Sequence, residues 1–337
     1  MDTCTNPTRS RRVMLLGATG TIGQATAQAL RARGHAVICL VRARAGVGGR
    51  LDADGIARLL PGVELRYADV TDPALLARDS FRGERFDALV SCMASRSGAP
   101  ADAWAIDHRA HVLALDAARA AGVGQMVLLS AICVQKPRLA FQQAKLAFEA
   151  TLQASGLTWS IVRPTAYFKS LSGQLDRLRA GKPFLLFGDG GLTACKPISD
   201  ADLAAYLARC LDDAALQNRI LPIGGPGPAL TPLEQGAMLF AALGQTPRYA
   251  KVPLALMDGI IGGLSLAGRI SPGLAAKAEL ARIGRYYASE SMLVWDARAG
   301  RYDADATPET GADRLADHYG RLVRGEVMVE RGDHAVF

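Results

Sequence analysis

Three glycines near the start of the chain have the spacing of a nucleotide-binding turn. They follow an apolar run over residues 13–16 and precede a helical pattern over residues 24–33. A buried strand, a glycine turn and a helix start together hold a pyrophosphate on the free N–H groups of the helix. Glycine is needed for the tight turn, for close approach to phosphate and for packing of the helix on the strand. The predicted cofactor contacts at this turn are Gly17, Thr19, Gly20, Thr21, Ile22 and Gly23.

The end of the second apolar run indicates which dinucleotide is bound. Residues 36–41 are predicted to form a strand that ends at Arg42, and Arg44 and Arg50 follow. An NAD-preferring site usually has an Asp or Glu about 20 residues after the glycines, and this chain has none there. A guanidinium matches a phosphate in bidentate geometry. The sequence therefore predicts NADPH, with a solvated basic loop as the alternative interpretation of these arginines.

Further cofactor contacts are predicted where later strands end, because ligands of open parallel sheets bind beyond the carboxyl ends of the strands. Asp69 and Val70 follow a third strand-like stretch, and Asp69 stands where a carboxylate can meet the adenine amino group. The other predicted cofactor contacts are Cys92, Ala94, Ser95, Ser130, Lys145 and Pro164.

Strand-like and helical patterns alternate through the first half of the chain. The predicted strands cover residues 13–16, 36–41, 63–67, 88–93, 125–130 and 159–162, and later elements are helices at 106–121 and 201–211 and a strand from 220. This alternation predicts an α/β fold, a doubly wound parallel Rossmann sheet with a smaller, mostly helical C-terminal substrate-binding region. We assign residues 10–225 to the NADP-binding domain, with a substrate-pocket segment at about 166–200. Residues 226–337 are expected to cover the substrate, with a polar tail from about Arg324.

Composition excludes several classes of protein. Half of the 337 residues are hydrophobic and the net charge is +7, which suits anionic ligands, but the basic residues are scattered and predict no nucleic-acid partner. The six cysteines form no C-x-x-C pair, which predicts reduced thiols and no metal site. Residues 1–12 lack the apolar core of a signal peptide, so a cytoplasmic protein is expected. Residues 252–270 are mostly apolar but are interrupted by Pro253, Asp258 and four glycines, so they do not predict a membrane-spanning helix. A helix that lies against a membrane surface or an apolar ligand remains open.

Residues 125–145 resemble the catalytic segment of the short-chain dehydrogenase/reductase superfamily, in its extended or atypical, NmrA-like branch. In that superfamily a Tyr-x-x-x-Lys motif carries catalysis, and its lysine binds the nicotinamide ribose and lowers the tyrosine pKa. This chain keeps Lys145 as the catalytic candidate but has Phe141 in place of the tyrosine, and Ala131 and Ile132 stand near the usual serine. Phenylalanine has no proton to relay. The resemblance therefore implies either cofactor binding without catalysis or hydride transfer to a carbon–carbon double bond.

A longer resemblance is to the NADPH-dependent, metal-free 3,8-divinyl chlorophyllide 8-vinyl reductases of plants and many photosynthetic bacteria. It runs to at least Asp296 and rests on segments such as Ala194-Cys-Lys-Pro-Ile-Ser199 and Ile283-Gly-Arg-Tyr-Tyr-Ala288. The other segments cover residues 91–96, 128–137, 161–170, 187–190, 221–227 and 230–236. The resemblance implies reduction of the 8-vinyl group of a divinyl (proto)chlorophyllide to ethyl, in chlorophyll or bacteriochlorophyll synthesis.

This reaction implies a pigment site and a proton donor. Hydride addition at the terminal vinyl carbon sends negative charge into the macrocycle, and protonation of the inner carbon completes the reduction. The candidate donors are Tyr167, Cys133, Cys195, Tyr286, Tyr287 and bulk water. Lys169, Lys196 and Arg285 are candidates to pair with the propionate, with a surface role as the alternative. The predicted substrate contacts are Cys133, Tyr167, Phe168, Lys169, Lys196, Arg285, Tyr286 and Tyr287.

Two other classes of protein remain open from the sequence. One is a redox-sensing regulator resembling the NmrA-like proteins, which binds NADP(H) without turnover and acts through a protein partner. The other is a structural member of a respiratory or photosynthetic assembly, with the nucleotide as a structural ligand. A pigment reductase needs a wide apolar cleft beside the nicotinamide, whereas a regulator does not. One of His108 and His111, a helical turn apart, is a further candidate to ligate the pigment magnesium.

Overall fold

A computed structural model describes residues 9–46 and 49–327 of the chain. Cys4, most of the predicted polar N-terminus and the end of the predicted C-terminal tail lie outside these residues.

Seven parallel strands form the central sheet, in the order β3-β2-β1-β4-β5-β6-β8. The strands are β1 Arg12–Leu16, β2 Ala36–Val41, β3 Glu64–Tyr67, β4 Ala88–Ser91, β5 Gln125–Leu129, β6 Thr158–Pro164 and β8 Arg219–Ile223. The direction in which successive strands are added to the sheet reverses between β1 and β4. Ligands of doubly wound sheets bind in the crevice at this point. The predicted Rossmann sheet is confirmed.

Helices cover both faces of this sheet, which explains why its strands are continuously apolar rather than alternating. They are α1 Thr21–Ala32, α2 Ala53–Leu59, α3 Pro73–Leu75, α4 Pro100–Ala103, α5 His111–Ala120, α6 Ala140–Gln153 and α9 Asp200–Arg209. Leu15 of β1 packs with Leu30 of α1 on one face, and Met14 packs with Phe148 of α6 in the core on the other. Each fully buried side chain of this size stabilises the fold by about 1.5–3 kcal/mol.

Two helices differ from the sequence prediction. α1 begins at Thr21 rather than at residue 24, because residues of the glycine turn already form its first turn. The predicted helix 106–121 begins earlier, at Pro100, and contains a π-helical stretch, Trp104–Ala110, before α5. Wider π turns are frequent at functional sites, and this one carries Asp107 into the candidate site described below.

The C-terminal half builds a second core beside the sheet. Its elements are α7 Phe168–Leu171, α8 Leu175–Arg179, β7 Phe184–Phe187, α10 Pro232–Ala242, β9 Tyr249–Val252, α11 Leu254–Ala267, α12 Pro272–Tyr287, β10 Val294–Asp296, β11 Arg301–Asp303 and α13 Leu315–Val323. β7 and β9 pair in parallel, and β10 and β11 pair antiparallel. Phe240 and Tyr319 are fully buried at the centre of this core, where the Tyr319 hydroxyl donates to the carbonyl of Leu171.

α11 and α12 form a helical hairpin that differs from the rest of the molecule. α11 is almost wholly apolar, yet none of its residues is buried. Leu256 and Ile260 are 55% and 51% exposed, and Leu266 and Ile270 at its end are 64% and 91% exposed. In residues 9–46 and 49–327, no helix has the length and apolar character needed to cross a bilayer.

Candidate functional site

The glycine turn between β1 and α1 has room for a ligand and no room for side chains. Gly17 has φ +74°, and a Cβ there would lie 2.6 Å from the backbone of Cys92, while a Cβ on Gly23 would lie 2.1 Å from the carbonyl oxygen of Gly17. Gly20, the residue before α1, is extended, and among the described residues no side chain caps the helix. The first N–H groups of α1 are therefore left for an anion, so this cradle fits the pyrophosphate of a dinucleotide.

A lysine from the segment after β6 reaches this turn. Lys169 Nζ donates to Thr21 Oγ1 at 2.8 Å, and Asp200 lies nearby with a buried carboxyl whose pKa burial raises. The lysine was predicted to meet a pigment carboxylate. Its position at the start of α1 instead adds positive charge where the helix N-terminus already favours anions.

A cavity of about 270 Å³ lies beyond the ends of β2 and β3, lined by Arg42, Ala43, Tyr67, Ala68 and Asp69. Burial and the neighbouring Arg96 lower the pKa of Arg42, which still lies far above neutral for any arginine. The N–H and hydroxyl of Thr71 hydrogen-bond the Asp69 carboxylate and hold its pKa low. The cavity thus brings together the two residues predicted to contact the adenosine part of NADPH.

Lys145 of α6 is held by a buried carboxylate. Its Nζ lies 2.9 Å from Oδ1 of Asp107, which also accepts the N–H of Ser95 at 3.2 Å. Burial alone would raise the pKa of Asp107, but Lys145 and the N–H of Ser95 outweigh it and the pKa lies below its usual value. Oδ2 of the same carboxylate is buried with no hydrogen-bond partner among the described residues. The pair fixes the ammonium at the carboxyl end of the sheet.

His111 is part of the core beneath this pair. Its Nδ1 donates to the carbonyl of Ile106, and its Nε2 accepts from the Ser91 hydroxyl, each at 2.8 Å. Burial and the Lys145 charge lower its pKa to about 4, so the ring is neutral near pH 7. Among described residues no group of three or more His, Cys, Asp or Glu could hold a metal. The structure gives His111 a structural role.

Phe141 lies in an apolar cluster that joins α6 to α12. Cys133, Phe141, Ile283 and Tyr286 are buried in it, and Tyr287 packs against them. The Tyr286 hydroxyl donates to the carbonyls of Cys133 (2.9 Å) and Lys136 (3.1 Å), whereas that of Tyr287 donates to the Cys133 sulfur at 3.6 Å. The predicted substrate residues Cys133, Tyr286 and Tyr287 are therefore brought together beside the position of the missing tyrosine.

Tyr167 lies close to the same cluster, with its phenol near Cys133 and Tyr287. Its ring is half-buried and packs with Ile22 and Cys92 against the core under the glycine turn. Burial and the nearby Cys92 and Cys133 raise the pKa of this phenol. The structure therefore places Tyr167 between the glycine turn and the Cys133 loop.

The remaining predicted cofactor residues lie at or near the strand ends. Val70 follows β3 and is half-buried, and Ala94 follows β4 and is exposed. Cys92 Sγ lies 3.5 Å from Thr26 Oγ1, while Pro164 is the buried last residue of β6. The strand ends thus share one edge of the sheet, as the sequence predicted.

Ser130 is the predicted cofactor residue whose side chain is already engaged. Its hydroxyl donates to the buried Glu149 carboxylate at 2.5 Å, and the same carboxylate pairs with Arg163 of β6. Burying a carboxylate without partners is costly, so this network is fully used in joining β5, β6 and α6. The structure does not direct the Ser130 hydroxyl into the cleft.

Four of the predicted substrate or donor residues also lie elsewhere. Phe168 is in the C-terminal core against His318, and Cys195 contacts Gln235 and the carbonyl of Leu230. Lys196 is 7% exposed and pairs with Glu309, whereas Arg285 pairs with Asp258 on the hairpin. Each polar group among them already has a protein partner, so the structure does not offer it to a pigment carboxylate.

Two buried acidic residues that hold Lys145 and Arg163 in place were not predicted from the sequence. Asp107 and Glu149 are each buried on a helical stretch, where Asp107 meets Lys145 of α6 and Glu149 meets Ser130 and Arg163 at the sheet. A lone acid on an apolar helical face is a detectable signal, because charged residues are almost never fully buried unless paired. Their partners, Lys145 and Arg163, come from other elements, and sequence spacing does not reveal these pairs.

Comparison with known proteins identifies the family. Residues 17–214 match the NAD(P)H-binding family. Over 98% of the chain and 84% of the relative, the identity is 47% to a protein of Zea mays named divinyl chlorophyllide a 8-vinyl-reductase, chloroplastic. A protein of the same name from Arabidopsis thaliana is 46% identical over 93% of the chain and 76% of the relative. The fold resembles that of NADPH-dependent quinone oxidoreductase QOR2 of Escherichia coli solved with NADPH (TM-score 0.66, 22% identity, 92% of this chain and 99% of that one). The chain belongs to the family of divinyl chlorophyllide a 8-vinyl-reductases.

Proposed function

We propose that this chain uses NADPH to reduce the 8-vinyl group of a 3,8-divinyl chlorophyllide or protochlorophyllide to ethyl, in chlorophyll or bacteriochlorophyll synthesis. The observation that carries the proposal is the combination of a kept, ion-paired Lys145 with Phe141 in a chain of this family. A site without the phenol of α6 has no proton relay to a carbonyl oxygen. A conjugated vinyl group needs none, because its reduction forms no alkoxide.

The chain holds and orients the cofactor with residues from both faces of the crevice. The open N-terminus of α1 would hold the pyrophosphate, with Lys169 beside it, and the cavity at Arg42 and Asp69 would take the adenosine part. Lys145, fixed by Asp107, would orient the nicotinamide ribose. When bound, NADPH supplies the hydride for the vinyl group.

The pigment is proposed to lie against the side of the cleft built by the Cys133 loop and α12. Cys133 and Phe141 are buried in the apolar cluster there, and the partly buried ring of Tyr287, which packs against it, is the part that a flat macrocycle would contact. Because Lys196 and Arg285 are engaged elsewhere, we do not assign the propionate to them.

We also propose that the α11–α12 hairpin touches an anionic membrane surface. The exposed apolar side chains of α11 are flanked by exposed Lys251, Arg269 and Lys277, none of which forms an ion pair with another described residue. An apolar helix face bordered by cations is the pattern of interfacial membrane helices. Placement at the cytoplasmic side of a photosynthetic membrane, and the oligomeric state, stay predictions.

A non-catalytic, redox-sensing regulator is the alternative. It shares the glycine turn and the lost tyrosine, but it would have no use for an apolar wall at the nicotinamide end of the cleft. The cluster of Phe141, Ile283 and Tyr287 therefore favours the reductase.

The test mixes purified protein, 3,8-divinyl chlorophyllide a and either NADPH or NADH, and follows the Soret band and the product mass. We expect an 8-ethyl product with NADPH preferred. Arg42→Ala should lower the preference for NADPH by about 10–100-fold, the effect of losing one charged hydrogen-bonded contact, and leave NADH use unchanged. Tight NADPH binding with unchanged pigment would contradict the reductase and favour the regulator.

A further inference from the structure

The reaction needs a proton at the inner vinyl carbon, and two of the candidate donors, Tyr286 and Cys195, are already engaged. The Tyr286 hydroxyl is shared between two backbone carbonyls. The Cys195 thiol lies in the C-terminal region against Gln235 and the carbonyl of Leu230. Two phenols remain near the Cys133 loop, those of Tyr167 and Tyr287.

Tyr287 is the phenol on the substrate side. It is the last residue of α12, and its ring packs against the cluster of Cys133 and Phe141, the residue that stands in place of the catalytic tyrosine of α6. Among the described residues its hydroxyl donates to the Cys133 sulfur at 3.6 Å, and a thiol sulfur is a weak acceptor that a better base displaces readily. The cluster around Phe141 of α6 therefore contains a phenol, that of Tyr287, which α12 supplies.

Tyr167 lies between the glycine turn and the Cys133 loop. Like Ile22 and Cys92, it packs against the core under the glycine turn, and it lies three residues beyond the end of β6, with its phenol also near Cys133 and Tyr287. A phenol there lies with the groups assigned to the dinucleotide, whereas the hairpin that carries Tyr287 belongs to the wall assigned to the pigment.

Building on the proposed function, we propose that Tyr287 is the general acid that protonates the inner carbon of the vinyl group. Hydride adds to the terminal carbon, the electron pair of the double bond moves to the inner carbon and the macrocycle, and a C–H bond forms there as the Tyr287 O–H bond breaks. The phenolate then recovers a proton from water. Burial and Cys133 raise the pKa of Tyr287 well above its ordinary value, so the phenol keeps its proton until a carbanion forms.

The experiment compares wild type with Tyr287→Phe, Tyr167→Phe and Tyr206→Phe, the last a buried phenol on α9 outside the cleft. Reduction is run in D₂O, and NMR reads which of the two hydrogens of the new methylene is deuterium. Wild type should label one position only. Tyr287→Phe should lose about 10²–10⁴-fold in kcat, the usual contribution of a positioned acid, and label both positions. Its Kd for NADPH should stay within twofold of wild type, and Tyr206→Phe should match wild type throughout.

Loss of rate and of stereospecific labelling in Tyr167→Phe, with both kept in Tyr287→Phe, would overturn the assignment. If Tyr287→Phe does not fold, 3-fluorotyrosine at 287 preserves the shape and lowers the phenol pKa; kcat and its pH profile should then change, and an unchanged profile also overturns it. Failure of the proposed function is separate, since wild type would then give no 8-ethyl product.

Discussion

The central sheet and the α11–α12 hairpin use apolar residues in opposite ways. In β1 the residues Val13, Met14 and Leu15 are fully buried between two layers of helices, while α11, equally apolar, buries none of its residues. The sheet completes its own core. The hairpin leaves apolar surface for something outside the chain, because exposed apolar patches of this kind mark interaction sites. The same residue types therefore stabilise the fold in one region and are available for contacts in the other.

The largest expected difference is between the ion pairs of the two regions. Lys145→Met would leave Asp107 buried without its partner and should destabilise the protein by about 3–5 kcal/mol. Arg285→Met breaks the pair with the half-exposed Asp258 on the hairpin and should change stability by less than about 1 kcal/mol. Urea unfolding at pH 7 measures both values, and equal losses would contradict the comparison.

The Lys145 pair also fixes the sign of the pH dependence. The folded pKa of Asp107 is below its unfolded value, so its contribution to stability is present above about pH 4 and is lost as pH falls through the folded pKa. In Lys145→Met, burial is no longer opposed by the Lys145 charge, and because burial outweighs the remaining hydrogen bond from Ser95, we expect it to raise that pKa. The variant should therefore regain part of its lost stability on going from pH 7 to pH 4.

Substituting one glycine in each region should change the stability of the protein by less than the ion-pair variants do, and with opposite signs in the two regions. Gly23→Ala places a Cβ against the Gly17 carbonyl and should destabilise the protein by about 1–3 kcal/mol, while weakening NADPH binding at the turn. On α11, a Cβ at Gly262 meets nothing within 4 Å, so Gly262→Ala should stabilise the protein by about 0.5–1 kcal/mol. Thermal unfolding and NADPH titration of both variants measure this; a destabilised Gly262→Ala would show that α11 packs against more than the structure reveals.

The smallest effect on stability is expected on the exposed face of α11. Leu256→Ser with Ile260→Ser should change the free energy of unfolding by only about 0.5 kcal/mol per site. Sedimentation with vesicles containing anionic lipid should nevertheless show at least about tenfold weaker binding, since each buried CH₂ contributes about 0.8 kcal/mol. Leu233→Ser is the control, because Leu233 is an exposed leucine (42%) on α10, and this variant should bind vesicles normally. Equal vesicle binding by all three proteins would refute the membrane contact.

The sequence predicted the sheet half well because its signals are local. The apolar runs and the glycine spacing lie within a few residues of the strands and the turn that they specify, and the structure has these elements where they were predicted. Arg42 lines the cavity beyond β2 and β3, and its contact with NADPH stays a prediction. The substrate side was harder. Lys196 and Arg285 have the charge that a carboxylate needs, but their partners Glu309 and Asp258 lie 113 and 27 residues away in the chain. Long-range pairing of this kind leaves no periodic pattern to detect.

The hydrogen bond between Lys169 and Thr21 joins the segment after β6, which also carries Tyr167, to the glycine turn. An anion held at that turn would share or take over the same ammonium, so the two regions cannot be occupied independently. If a bound nucleotide orders this segment, it favours binding of a second ligand that needs the ordered segment. Linkage is reciprocal, so the second ligand then tightens nucleotide binding by the same free energy. One lysine thereby makes the affinities of the two ligands thermodynamically linked.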